Sequence, residues 1–68
     1  MTAEKWLASF AERIGAEPPT AEEMETILAL AGVAAHSSER MAAPVACWMI
    51  GRAGIEPGEA KRIAEELS

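Results

Sequence analysis

Apolar side chains recur at helical spacing in four separate stretches of this chain, and no stretch alternates with period two. The first stretch places Trp6, Leu7, Phe10 and Ile14 on one stripe, with Glu12 and Arg13 off it. A helix over Ala3 to Ile14 follows, with Thr2 as N-cap, Glu4 at its positive end and Gly15 in the left-handed closing position. Pro18 and Pro19 then remove two donors and hold the connector extended. Thr20-Ala21-Glu22-Glu23 has the form of a capping box, in which the threonine hydroxyl and the glutamate carboxylate each satisfy a free amide. It opens a second helix, Ala21 to about Ser37. The expected core face is Met24, Ile27, Leu28, Ala31, Ala34 and Ala35, widened by Leu30 and Val33. Gly32 is costly inside a helix and is compatible with a close backbone crossing or with a weak point.

The third stretch, about Met41 to Ala53, is apolar nearly all round, with Pro44 in its first turn and Gly54 after its end. Such a helix is expected to be buried on several sides, which makes it the central one. Its small residues Ala43, Cys47 and Gly51 lie four apart and are expected to meet Ala31 and Ala35. A fourth helix, about Gly58 to Leu67 with Pro57 as a well-placed first residue, carries Ala60, Ile63, Ala64 and Leu67 on one stripe. Lys61, Arg62, Glu65 and Glu66 form its wet face. These elements predict an all-α, compact four-helix bundle over residues 1–68 with helix three central.

Length changes that picture. Sixty-eight residues allow one small domain, and 15 of them are alanine, so the 50% hydrophobic content overstates the core. A chain this short buries only about 60% of its unfolded surface. An enclosed pocket of at least about 300 Å³ is hard to wall with so few large side chains, which argues against a self-contained enzyme. It also leaves Trp48, Met49, Val45 and Trp6 as candidates for an exposed apolar interface, to a protein partner or to a second copy in a homodimer.

Charge narrows the partners. Eleven glutamates face six basic residues, there is no aspartate, and the net charge is −5. Nucleic acid and anionic membrane surfaces draw their affinity from lysine and arginine, so neither is expected as a partner. The apolar run Met41 to Gly51 is far short of the roughly 20 residues that span a bilayer. The amino-terminal residues lack a basic region followed by an apolar one, and a single cysteine cannot form an internal disulfide. A cytoplasmic location is the expectation.

One polar cluster stands out. On a continuing helix His36 and Arg40 share a face, and Glu39 lies three residues from His36. Together with Ser37, Ser38 and free amides at the start of helix three, they form a candidate anion or partner site. The plainer reading comes first: His36 and the serines end helix two, while Arg40 and Glu39 are solvated or cap neighbouring carbonyls. Cys47 sits in the most apolar helix, where a thiol stays protonated, so a Cys47–His36 nucleophile pair is not expected. One histidine, one cysteine and scattered glutamates supply no metal-ligand set. No catalytic residue, metal or cofactor is assigned.

The succession Trp6-Leu7, Ile14-Gly15, Ile27-Leu28-Ala29-Leu30-Ala31, Ala35-His36, Glu39-Arg40 and Ala42-Ala43-Pro44, followed by a glycine-ended apolar helix, resembles a family. It is a small actinobacterial helical domain of unknown function, stand-alone or fused to the C-terminal end of molybdenum cofactor guanylyltransferase. The resemblance implies an accessory role near molybdenum cofactor maturation or delivery and no established activity. It makes His36, Glu39, Arg40 and Pro44 binding candidates, with a nucleotide or pterin phosphate as the alternative ligand to a protein.

Overall fold

The computed structural model describes residues 1–68 and contains four α-helices: α1 (Ala3–Ile14), α2 (Ala21–Ser37), α3 (Ala42–Ala53) and α4 (Pro57–Leu67). Each boundary has a local cause. The Thr2 hydroxyl accepts from the Lys5 amide at 3.2 Å and starts α1. Gly15, at φ 74°, closes it by adopting the left-handed conformation that a side chain disfavours. The expected capping box is present in full. Thr20 Oγ1 accepts from the Glu23 amide at 3.1 Å, and the Thr20 amide donates to Glu23 Oε1 at 2.8 Å. Gly54, at φ 71°, ends α3, and Pro57 is the first residue of α4, where its missing donor costs nothing.

The expectation that helix three is central is corrected by the packing. The backbones of α3 and α4 both run close along α2, and no other pair of helices approaches so extensively. No residue of α3 is fully buried, whereas α2 contributes Leu30, the one large side chain sealed from solvent at 3% exposure. Both helices are apolar on more than one side. Tertiary packing decides between them, since α3 and α4 both fold back on α2.

The expected core face of α2 is corrected as well. Leu28 is 62% exposed, while Leu30 lies inside. Two residues apart in a helix means nearly opposite sides. The Leu30 side faces α3 and α4, where Leu30, Ala34, Ile50, Met49, Ile63 and Leu67 help line a wholly apolar groove of about 260 Å³. The Leu28 side, with Met24, borders a depression shared with Glu4 and Pro19. Neither Gly32 nor Gly51 marks a close crossing, since a Cβ built on either meets nothing within 4 Å. The small-residue stripe therefore does not meet α2 along its length: Ala43 and Cys47 are half-buried, and Gly51 is exposed.

Only Ala11, Leu30 and Ala60 are buried in the whole chain. The radius of gyration is 12.3 Å, against about 11 Å expected for 68 residues, and the longest dimension is 34 Å. The four helices form one globule whose interior is thin, and most large apolar side chains remain partly in contact with water.

Candidate functional site

The outer side of α3 is the most unusual surface. A helix lying on a protein normally turns charged residues to water. Here the outward positions are Met41 just before the helix, then Pro44, Val45, Trp48 and Arg52, all exposed, with Met49, also exposed, at the edge shared with the apolar groove. Val45 is 54% and Trp48 62% exposed. The inward positions Ala43, Ala46, Cys47 and Ile50 are half-buried. Arg52 is the only charged residue of α3, and its guanidinium lies over the Trp48 ring at 5.2 Å from the centroid. That is cation–π geometry, with the cation held along the ring face. Between Met41 and Ile55 there is no acidic residue, although the chain has eleven. This gap in the glutamate pattern is the sequence signal that marks the whole face, including Met41, which the hydrophobic pattern alone did not single out.

A second apolar element lies on α1. Its apolar stripe is wide, and only one flank is covered: Ala11 is buried and Leu7 half-buried. The other flank carries Trp6 and Phe10, whose rings stack at 5.0 Å with an interplanar angle of 18°. Both rings are about half exposed, and Ile14 continues their row. Stacking hides one ring face of each from water and leaves the remaining faces open.

The polar cluster between α2 and α3 takes the plainer of its two expected forms, a helix end. α2 stops at Ser37, and Ser38 leaves the helical conformation with φ −141° and ψ −97°. Its hydroxyl turns back to donate to Ala34 O at 2.8 Å, one cause of the termination. His36 therefore remains on α2 while Glu39 and Arg40 lie in the turn, so the shared helical face is not realised. His36, Glu39 and Arg40 are exposed, and no side-chain hydrogen bond or ion pair joins them. The amides at the start of α3 are also not free. Ala42 N donates to Glu39 O at 2.9 Å, Ala43 N donates to Arg40 O at 3.1 Å, and Pro44 has no amide hydrogen. What remains beside His36 is an open depression bordered by Gly32, Val33, Ser37, Leu67 and Ser68.

Charge pairing is concentrated on α4. Arg62 Nη2 donates to Glu59 Oε1 at 2.6 Å, Arg62 also pairs with Glu66, and Lys61 Nζ donates to Glu65 Oε2 at 3.0 Å. The hydrogen bond and charge of Arg62 hold the Glu59 carboxyl below its ordinary range, and Glu59 in turn raises the Arg62 guanidinium. No group of three or more His, Cys, Asp or Glu side chains is arranged to hold a metal ion. No helix is long and apolar enough to cross a membrane.

Fold and surface together define an all-α four-helix domain whose outstanding feature is uncovered apolar side chain rather than a polar cleft. Residues 1–68, the whole chain, match the family described as a domain of unknown function, DUF6457, and the chain belongs to that family. No curated protein matches it, and no solved structure does.

Proposed function

We propose that this chain is a non-catalytic protein-interaction module, an accessory domain that works by being covered. The observation that carries this reading is the outer side of α3, where Val45, Trp48 and Met49 face water without a carboxylate among them. Aromatic and methionine side chains free of acidic neighbours are the composition of interface centres. The Trp6–Phe10 pair on α1 supplies a second anchor of the same chemistry.

The resemblance to an actinobacterial domain that is also fused to molybdenum cofactor guanylyltransferase extends the reading to a cellular setting, the maturation or delivery of the molybdenum cofactor in the cytoplasm. In that setting Pro44 and Arg40 flank the apolar face and help orient the partner. The alternative, in which His36 and Arg40 hold a nucleotide or pterin phosphate, has weaker support, because the neighbouring α3 amides already have partners within the turn.

Binding of an apolar fluorescent dye to the full chain, compared with Trp48→Glu, tests the module itself. The dye is expected to bind the native chain and to lose most of its signal with the variant. Equal binding by both proteins, with both still helical, overturns the assignment of the face. Mixing the purified chain with molybdenum cofactor guanylyltransferase tests the setting. A complex lost in Trp48→Glu supports it, and the absence of any complex removes it.

A further inference from the structure

The exposed area is larger than a folded monomer of this mass should have. The chain exposes 5407 Å². Folded monomers of 7.2 kDa expose about 4,100 Å² by the usual scaling of surface with mass, so about 1,300 Å² is in excess. A standard protein–protein interface covers about 800 Å² on each partner, and permanent homodimers cover more. The excess is therefore the size of a homodimer interface, and it belongs to a chain that seals only one large side chain by itself.

Charge selects which face can meet a copy of itself. Two chains of net charge −5 repel wherever their glutamates oppose. The glutamates lie on α1, on α2, on α4 and in the connectors, and Met41 to Ile55 has none. A two-fold interface brings the same patch together twice, so a self-complementary patch must carry no uncompensated like charge at its centre. The outer side of α3 comes nearest to that condition, with no carboxylate and a single cation. Its one cation, Arg52, already lies over the Trp48 ring.

We propose that the occupant of this face is a second copy of the chain. Two α3 helices pack across a two-fold axis through Val45, Trp48 and Met49, and folding is completed by that association. The proposal rests on the interaction-module reading and names its partner.

Sedimentation equilibrium of the full chain from nanomolar to high micromolar concentration, at low and high salt, tests it. A dimer is expected whose dissociation constant falls as salt rises, because the apolar contact is attractive and the net charges repel. Helical circular dichroism is expected to decrease on dilution together with the dimer. Val45→Glu places two carboxylates at the axis and is expected to raise the dissociation constant about 100-fold or more. Because that variant can also unfold, Val45→Cys in a Cys47→Ala background provides a second arm. Oxidation is expected to give a covalent dimer with native helicity.

A helical monomer at every concentration overturns the proposal. So does a dimer that survives Val45→Glu unchanged and gives no cross-link in the cysteine variant. The two readings fail differently. A helical monomer whose indoles are readily quenched from solution leaves the interaction module standing with another partner. A helical monomer whose indoles are sheltered from the quencher removes both.

Discussion

Ser37 Oγ and Ser68 Oγ meet at 2.7 Å, joining the last residue of α2 to the residue that follows α4. The Ser68 hydroxyl also donates to Ala64 O at 3.1 Å. A hydroxyl has one hydrogen, so Ser37 is the donor between the two serines. The contact sets the carboxyl ends of α2 and α4 side by side, while α3 packs on α2 separately. Ser37→Ala is expected to cost about 0.5–1 kcal/mol, the net value of one hydrogen bond, at the low end because the pair is exposed. Amide exchange should quicken over the last turn of α4 and stay unchanged in α1. Unaltered exchange at residues 64–68 would show that apolar contact through Leu67 suffices to hold the end.

Leu30 and Leu28 make a matched pair of truncations within one helix. Leu30 is sealed among α2, α3 and α4, while Leu28 points to water. Leu30→Ala is expected to cost about 2–5 kcal/mol and to unfold much of so small a protein at room temperature. Leu28→Ala is expected to change stability by no more than about 0.5 kcal/mol. Urea titration followed by circular dichroism separates the two. Similar losses from both would mean that the Leu28 side is covered in solution.

Two glycines should respond with opposite signs. Gly54 ends α3 at φ 71°, where an alanine is strained, so Gly54→Ala is expected to lower stability by about 1 kcal/mol. Gly32 lies inside α2 with open space where its Cβ would go. Gly32→Ala is expected to raise stability by about 0.5–1 kcal/mol through helix propensity and reduced freedom of the unfolded chain. Thermal unfolding of the two variants in parallel reads the signs directly. A destabilising Gly32→Ala would place another molecule or helix against that position.

The α4 ion pairs give the protein an acid-side dependence. The Arg62 guanidinium holds the Glu59 carboxyl below its ordinary value of about 4.5, so the unfolded chain binds its proton first as pH falls. Its stabilising effect is present above about that pH and is lost as pH drops through the depressed folded value. The Glu59 carboxylate raises the Arg62 guanidinium further above its ordinary, already very basic range, so it stays charged throughout and adds no slope at ordinary pH. Arg62→Ala is expected to flatten the acid limb of stability against pH and to weaken the first turn of α4. Because both groups are exposed, added salt should shrink the effect. An acid limb identical in native and variant protein would assign it to other carboxylates.

The helices were legible in the sequence because their causes are local. Thr20 and Glu23 are three residues apart and find each other as soon as one helical turn forms. Gly15 and Gly54 end helices through their own backbone freedom, and Pro57 starts one through its fixed φ. The same locality explains why Trp6, Val45, Trp48 and Met49 were recognisable as candidates for an exposed face: the pattern held more apolar residues than so short a chain could cover. At the cluster around His36 the sequence left two forms open, a shared helical face or a helix end, and the reason is equally local. Its alignment depended on α2 continuing to Arg40, and the Ser38 hydroxyl turns back on Ala34 O instead.

Composition and pattern thus determined that this protein is four helices with too little interior for its apolar side chains. Which helix sits in the middle was decided only in three dimensions. α2 and α3 are both apolar around much of their circumference, and periodicity cannot rank two such helices. The ranking comes from non-local packing: α3 and α4 both fold back on α2, Leu30 rather than Leu28 turns inward, and the α3 flank with Val45 and Trp48 is left facing water.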